Sequence, residues 1–536
     1  MSLMGSLYVG ASGLQTGQNA LNTTAHNMSN VDTTGYTRQQ VQQGTRFYNT
    51  ISKTNSANAY QQIGLGVNYS QVKQVRDYFL DKTYRRESGR SAFFDATFDA
   101  VGEIEDLFQE LEGEAFAEAI ENVWSSVQEL AKDPSNTVNQ GVFVQRCSEF
   151  ITRASAVYDG LCEYQDNMNY KVQQQVEQIN KYGQRIKELN EEILKIECAG
   201  FEKANDLRDE RNQLTDELAK MVNISLREDI NGNFLIQVEG ADFVKADSVN
   251  EMDVFMDETT GFYTPYWKQF AKEGADGKLD ISRAKVFDLT IAISTSMNTD
   301  IGGLKATLLS RGDRRATYAD LQDEAKYNDE VAPSVVMNIQ AEFDQLINKV
   351  ATQINKVLAE AAAKAQADVP GTHYMRDPNS DPPYNDPIQI FKTKSGTDLT
   401  IKNLMIDDTI KQSPSLLGFI KDDKKVDQET ADILKKIFTE ENYTLNPNVK
   451  TKTNFVNYYN NLVSQVANTG SVLKGMSENQ QITVDNTYAA REQILGVSSD
   501  EEMSNMIMFQ NAFNASSRYI NVVSELLDHI LSTLGR

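Results

Sequence analysis

The sequence predicts an α+β fold that is predominantly helical. Paired N- and C-terminal segments form a long antiparallel helix bundle or coiled coil, and a β-rich domain is inserted between the helices. Three observations predict this fold. Apolar residues recur every three and four positions near both ends, and helices with heptad spacing fill the middle. Between residues 223 and 299 the apolar period changes to two, which is typical of strands.

The C-terminal segment, residues 498–534, has the most regular coiled-coil spacing. Ser498 and Glu501 form a capping-box pattern that predicts a helix start, and Asp500 and Glu502 add negative charge at the positive end of the helix dipole. A stripe this narrow requires a partner helix. Its members are Met506, Phe509, Phe513, Ser516, Ile520, Val523, Leu527, Ile530 and Leu534.

A matching stripe lies at the N-terminal end. Its members are Leu3, Leu7, Gly10, Leu14, Gly17, Leu21, Thr24 and Met28. The two glycines would let a second helix approach closely. Either stripe alone would fit packing on an ordinary core. Two stripes at opposite ends of one chain favour pairing of the ends with each other or with copies of themselves.

Composition excludes several classes of function. A chain of 536 residues is too long for one hydrophobic core, so we expect several domains. The sequence contains 52 Lys and Arg residues and 76 Asp and Glu residues, which gives a net charge of −24. No basic surface is therefore expected for nucleic acid. No apolar run is long enough for membrane insertion, and no cleaved secretory signal is visible.

The sequence contains no motif that indicates catalysis, a cofactor or a metal. A nucleophile elbow, a phosphate loop, a zinc-binding helix and a paired-carboxylate site are all missing. His26, His373 and His529 lie far apart, and the cysteines lack metal-ligand spacing. The acidic residues of 204–218 are expected to pair with arginines along a helix face. We therefore predict no enzymatic activity and no cofactors.

The middle of the chain combines helices with the β-rich insert. Asn231-Gly232 between two alternating runs predicts a hairpin, and a further strand is expected at 286–293. Helices are predicted at 77–108, 114–130, 138–168, 172–196, 204–218, 336–367 and 426–438. The predicted domains are a terminal coiled coil (1–40 with 496–536), a helical bundle (41–222 with 300–366 and 450–495), a β-rich domain (223–299) and a reduced outer insertion (367–449).

The segment after the first helix carries a signature. Residues 26–36 are rich in side chains that favour turns, and Gly35 accepts a positive φ at little cost. The segment resembles the signature shared by flagellar rod, hook and hook-associated proteins, in which an Asn-rich helix end runs into Thr-x-Gly-Tyr. The matching residues are Asn27, Asn30, Thr33, Gly35 and Tyr36.

Three further segments narrow this resemblance. Residues 64–81, with Gly-Leu-Gly-Val before Val-Arg-Asp-Tyr-Phe-Leu, are similar to the first hook–filament junction proteins, the hook-associated protein 1 family. The helix at 204–218 and the segment 496–513 resemble the same family, in the same order along the chain. The resemblance covers residues 4–225, 300–365 and 452–534.

The resemblance implies a structural axial protein of the bacterial flagellum that joins hook to filament. It implies self-assembly, with the hook protein, the second hook–filament junction protein and an export chaperone as partners. It also implies an extracellular location on the flagellum, reached by type III export. The expected assembly interface is Leu7, Leu14, Leu21, Met28, Asn30, Gly35, Tyr36, Met506, Phe509, Phe513, Ile520, Val523, Leu527, Ile530 and Leu534.

Two other interpretations stay open at this point. The chain could be another flagellar axial protein, flagellin or hook protein, although segments 72–81 and 204–218 favour the junction family. Alternatively, the chain could be a surface-displayed enzyme or an adhesin that uses the β-rich insert. The scarcity of histidine and of paired acids argues against the enzyme.

Overall fold

A computed structural model describes residues 3–46, 48–53, 60–109, 116–200, 202–274, 279–421 and 423–534. Helices dominate these residues. They are α1 (Leu3–Ser29), α2 (Tyr78–Gln109), α3 (Phe116–Lys132), α4 (Thr137–Glu197), α5 (Asn205–Met221), α6 (Gly303–Arg311), α7 (Glu324–Lys326), α8 (Val335–Asp368), α9 (Asp408–Gln412), α10 (Gln428–Thr439), α11 (Phe455–Leu495) and α12 (Ser499–Leu534).

The strands form small separate sheets. They are β1 (Gln39–Thr45), β2 (Asn49–Lys53), β3 (Tyr60–Ile63), β4 (Val67–Gln74), β5 (Ile224–Glu228), β6 (Phe234–Val238), β7 (Ala241–Val244), β8 (Met252–Met256), β9 (Tyr263–Trp267), β10 (Lys272–Glu273), β11 (Leu279–Asp280), β12 (Phe391–Thr393) and β13 (Leu404–Ile406). Strands β5, β6 and β7 make an antiparallel sheet, and the others pair as β1–β4, β2–β3, β8–β9, β10–β11 and β12–β13. The predicted fold class, predominantly helical with some β structure, is confirmed.

Helix α4 corrects one prediction. The two helices expected at 138–168 and 172–196 are a single helix of 61 residues. No proline or glycine lies between Met168 and Val172, and both side chains are buried, so the apolar face continues without a break.

The β-rich region is partly as predicted. The hairpin β5–β6 has its turn at Asn231-Gly232, where Gly232 adopts a φ of 83°. The prediction of a strand at 286–293 is wrong. The Asp288 carboxylate accepts hydrogen bonds from both N and Oγ1 of Thr290, and this local turn bends the chain away from an extended path.

The chain divides into two compact units. The first comprises Met1–Ser91, Glu177–Met252 and Gln480–Arg536, and the second comprises Ala92–Val176 and Asp253–Asn479. Unlike the four predicted domains, these units divide the β-rich region after Met252. The four-domain division stays a prediction.

Aromatic residues fill the core of the second unit, where α8 and α10 pack together and α3 packs on α10. The Phe116 ring centroid lies 5.0 Å from that of Phe343 and 4.9 Å from that of Tyr459. Glu342 of α8 is fully buried and accepts a hydrogen bond of 2.6 Å from Asn446 Nδ2. Burial raises the pKa of Glu342 to about 7, although hydrogen bonds from Asn446 and Gln465 oppose the shift.

The first unit contains α1, α5 and α12. Strand β4 is attached to α1 through Ser12, whose Oγ accepts a hydrogen bond of 3.2 Å from Val67 N. Leu214 of α5 packs against Leu189 and Ile193 of α4. This unit brings together the two ends of the chain, and the predicted assembly residues all belong to it.

Candidate assembly interface

Helices α1 and α12 pack closely along their lengths. A Cβ atom added at Gly10 would lie 2.6 Å from Cγ1 of Ile520, and one added at Gly17 would lie 3.4 Å from Cα of Phe513. Residue numbers rise along α1 as they fall along α12, so the two helices are antiparallel. Glycine is required where the helices are closest, because even a methyl group at Gly10 would overlap Ile520.

The contact line on α1 differs from the predicted stripe. Leu7, Leu14, Leu21 and Met28 are only half-buried and flank the contact. The line that faces α12 consists of small side chains spaced by three and four residues: Ser6, Gly10, Gly13, Gly17, Ala20, Thr24 and Asn27. Two helices that approach this closely leave no room for leucine between them, so the larger side chains lie to the side.

The predicted stripe on α12 is the side of that helix turned toward α1. Val523 is buried, with 3% of its surface exposed. Ile530 is 37% exposed. The side chain of Leu534 lies outside the described residues. The remaining members are half-buried: Met506, Phe509, Phe513, Ser516, Ile520 and Leu527.

A buried amide joins the ends of the chain. Asn27 Nδ2 donates hydrogen bonds to Gln39 O at 2.8 Å and to Glu502 Oε2 at 3.1 Å. Asn27 Oδ1 accepts hydrogen bonds from Tyr36 Oη at 2.8 Å and from Gln39 N at 3.0 Å. The amide therefore makes two bonds as donor and two as acceptor, which satisfies it fully.

Arg38 adds an ionic contact between the same segments. Its Nε lies 3.0 Å from Glu502 Oε1, and its Nη1 lies 3.0 Å from Glu501 Oε2. Its backbone N donates to Leu495 O at 2.8 Å. Together with the Asn27 contacts, these bonds form the terminal latch, which we define as Asn27, Tyr36, Arg38, Gln39 and Glu502.

The predicted signature residues shape the loop of this latch. Asn30 Nδ2 donates to His26 O at 3.0 Å, and Thr33 Oγ1 donates to Asn30 Oδ1 at 3.1 Å, so Asn30 closes the end of α1. Gly35 adopts a φ of 80°, which favours glycine. Burial raises the pKa of Tyr36, and nearby carboxylates, first that of Asp209, raise it further, so its hydroxyl remains a hydrogen-bond donor.

Helix α5 holds the loop from the other side. Asp209 accepts hydrogen bonds from Thr37 Oγ1 at 2.6 Å and Thr37 N at 3.1 Å, and Arg76 Nη1 lies 3.6 Å away. Burial raises the pKa of Asp209 to about 6, although the Thr37 hydrogen bonds and Arg76 oppose the shift.

A chain of buried ion pairs connects α2, α5 and α11. Arg491 Nε lies 2.8 Å from Asp81, and its Nη2 lies 2.8 Å from Asp216. Asp216 also pairs with Arg85 at 2.6 Å. Burial alone would raise the pKa of Asp81, but the hydrogen bond and charge of Arg76, with Arg491, lower it. The predicted pairing of aspartates and arginines along α5 is wrong, because Asp209 and Asp216 pair with other elements across a buried face.

The sequence did not predict most of this network. The sequence around Glu502 indicates only a contribution to the helix dipole, and nothing local to Asp81, Arg85 or Arg491 indicates their ion pairs. A signal for Asn27 was present in the signature itself, but its partner is remote in sequence. The interface is formed by the packing of helices and by polar groups that satisfy one another's hydrogen bonds. This arrangement is suited to holding segments of protein together. Among the described residues, no group of three or more His, Cys, Asp and Glu side chains is placed to hold a metal ion.

Comparison with known proteins identifies the class. Residues 7–37 match the family model of the flagella basal body rod protein, and residues 493–533 match that of the flagellar basal body rod FlgEFG protein C-terminal region. These matches cover most of α1, the loop through Thr37 and most of α12. The terminal module is therefore that of a structural protein of the bacterial flagellum.

The central part of the chain identifies the particular family. The model of the flagellar hook-associated protein FlgK helical domain matches residues 101–369, half of the chain. The chain belongs to the flagellar hook-associated protein FlgK family, and the resemblance predicted from its motifs is confirmed. It is a flagellar hook-associated structural protein.

Two relatives that align along nearly the whole chain are flagellar hook-associated proteins. The chain is 24% identical over 525 residues to flagellar hook-associated protein 1 of Bacillus subtilis, covering 97% of this chain and 96% of that protein. It is 22% identical over 557 residues to flagellar hook-associated protein 1 of Salmonella typhimurium, covering 97% and 98%. A solved structure of the flagellar hook junction protein FlgK from Burkholderia pseudomallei aligns with a TM-score of 0.40 and 15% identity over 58% of this chain and 46% of that chain. Within the described residues, no helix combines the length and the apolar character needed to cross a membrane.

Proposed function

We propose that the chain joins hook to filament and that copies assemble through the module formed by α1, α12 and the terminal latch. The buried hydrogen bond between Asn27 and Glu502 carries this proposal, because it makes the two ends of the chain one structural element. An assembly surface built from both ends exists only after the whole chain has folded. The predicted interface residues flank or form this element, and their role in assembly is part of the proposal.

The proposal names the partners that the family implies. One face of the assembly contacts the hook protein, and the other contacts the second hook–filament junction protein. An export chaperone accompanies the chain before assembly, and the chain reaches the cell exterior by type III export. It acts by holding surfaces together and catalyses no reaction.

Complementation of a strain that lacks the gene tests the proposal. The full chain should restore filaments, and a chain truncated after Ser498 should leave hooks without filaments and release flagellin into the medium. A Ser504→Ala chain is the control, because Ser504 is exposed and its hydroxyl bonds only within α12, to Asp500 O. Normal filaments with the truncated chain, at equal levels of secreted protein, would refute the proposal.

A further inference from the structure

One dipeptide in the turn between β5 and β6 is chemically reactive. Asn231-Gly232 is the only Asn-Gly pair in the sequence, and the Asn231 side chain is exposed. An asparagine amide loses ammonia when the backbone nitrogen of the next residue attacks its Cγ. Glycine at that next position favours the attack, because no side chain hinders it and its backbone rotates at little cost.

Hydrogen bonds within the turn restrain the attacking nitrogen. Gly232 N donates to Asp229 O at 3.1 Å. The Asp229 carboxylate accepts hydrogen bonds from Asn231 N and Asn233 N, both at 2.8 Å, and from Asn233 Nδ2 at 2.9 Å. Gly232 N must leave its own bond to reach Asn231 Cγ, so the reaction requires a local opening of the turn.

The same turn is bonded to a buried cation. Arg211 is fully buried, and its Nη1 donates hydrogen bonds to Gly232 O and to Asn190 Oδ1, both at 2.8 Å. Its guanidinium carbon lies 3.6 Å from the centroid of the Phe234 ring. Within the described part of the chain, its Nε and Nη2 have no hydrogen-bond partner, and Glu228 Oε1 lies 3.9 Å from Nη2. The bond to Gly232 is therefore one of two that this guanidinium makes, and its loss is costly in a buried site.

We propose that Asn231 is a site of spontaneous deamidation, and that the isoaspartate product releases Arg211 and destabilises the first unit. In the first step Gly232 N forms a bond to Asn231 Cγ, and the bond from Cγ to Nδ2 breaks. The proton of Gly232 N goes to the leaving nitrogen, so ammonia departs and a succinimide remains. Water then opens the ring. Attack at Cγ gives aspartate, whereas attack at the backbone carbonyl carbon gives isoaspartate.

The two products differ in their effect on the fold. Aspartate leaves the main chain unchanged and adds a negative charge at an exposed position. Isoaspartate lengthens the main chain by one carbon, inside a turn whose ends are bonded to each other, Asp229 N to Asn233 O at 3.0 Å. Because those ends are held together, the added carbon displaces Gly232 O from Arg211 Nη1. A change at an exposed turn thus reaches a fully buried side chain.

Peptide mapping of the purified full chain, incubated in mildly alkaline buffer, measures the reaction. We expect the amide at Asn231 to be lost with release of ammonia, and isoaspartate at 231 to be labelled by a carboxyl methyltransferase specific for it. Asp229→Ala, which removes the carboxylate that closes the turn, should raise the rate about ten-fold. Asn379 is the internal control, because it is exposed but its Nδ2 donates to Thr409 Oγ1 at 3.1 Å and a serine follows it.

Thermal denaturation tests the effect on the first unit. The deamidated fraction, separated by its added negative charge, should unfold at a lower temperature than freshly prepared Asn231→Asp, which carries the charge without the longer main chain. Asn231→Gln should keep its melting temperature through the same incubation. An amide at Asn231 as durable as that at Asn379, or an equal rate in Asp229→Ala, would overturn the proposal. Equal melting of the deamidated fraction and Asn231→Asp would also overturn it.

Discussion

Asn27, near the end of the first helix, and Glu502, near the start of the last, are separated by 475 positions and share a buried hydrogen bond of 3.1 Å. The same amide bonds Tyr36 and Gln39, so it connects α1, the signature loop and α12 at one point. The attachment in this module thus depends on a neutral amide that makes four hydrogen bonds. Loss of that amide would leave several buried groups without partners at once.

Replacing Asn27 tests the latch directly. We expect Asn27→Ala to cost about 2–4 kcal/mol in the stability of the first unit, because buried polar partners lose their hydrogen bonds. Hydrogen exchange should accelerate across residues 3–29 and 499–512 and not in the second unit. The control is Asn22→Ala, an exposed asparagine of the same helix. Equal exchange rates in the two variants would show that the latch does not hold the terminal helices.

The close approach of the helices predicts a size limit at Gly10. Gly10→Ala should be destabilising by about 1–3 kcal/mol even though alanine is the better helix former, because its methyl group overlaps Ile520. Combining it with Ile520→Ala, which removes the overlapping Cγ1, should cost less than the sum of the two single substitutions. Gly141, with no atom within 4 Å of an added Cβ, is the matched helical control, and Gly141→Ala should be neutral or stabilising. Additive effects of the two interface substitutions in thermal denaturation would contradict this account.

The buried ion pairs predict a strong effect at Arg491. We expect Arg491→Met to cost about 3–5 kcal/mol, because Asp81 and Asp216 would lose a shared cation in a buried site. Lys364 and Glu429 form an exposed pair at 2.7 Å, and Lys364→Met should cost less than about 1 kcal/mol. Urea denaturation of each unit measures both. A small effect at Arg491 would mean that water already reaches the pair.

Glu342 predicts a pH dependence in the second unit. Its pKa of about 7 in the folded chain exceeds that of an unfolded glutamate, so the folded state binds the proton more tightly. Its contribution to stability is therefore full at pH below about 4 and is lost as pH rises through about 7. Glu342→Gln should flatten the decline of thermal stability between pH 5 and 8 by up to about 3 kcal/mol. Glu360→Gln, at a more exposed site on the same helix, should leave the slope unchanged. An unchanged slope in Glu342→Gln would contradict the assignment.

The sequence predicted the elements well where the pattern is local. The three–four spacing at both ends indicated two long helices that need partners, and the turn at Asn231-Gly232 indicated its hairpin. The spacing did not reveal which line of α1 is buried. That choice depends on the short distance between the two helix axes. Glycine permits this distance, and Leu7 and Leu14 therefore lie to the side of the contact.

The polar contacts could not be predicted from the sequence for a different reason. Asn27 and Glu502, or Arg85 and Asp216, are remote in sequence and meet only in the folded chain. A charged face on α5 is typical of a helix in solvent, and nothing local distinguishes it from a face whose counter-ions lie on α2, α4, α11 and β5. The buried charges are explained by those partners, whose positions follow from the packing of the whole first unit.

A disulfide between the two ends tests the central claim most directly. A Cβ atom at Gly13 would lie 3.4 Å from Cβ of Ser516, close to the separation found in disulfides. In a chain with Cys198→Ser, the pair Gly13→Cys and Ser516→Cys should form a bond within one chain in native flagella under mild oxidation. Gly13→Cys with Asn514→Cys, an exposed position two residues away and therefore on the opposite side of α12, should not. If the first pair formed no bond within the chain, or bonded no faster than the control pair, the ends would not be paired as described.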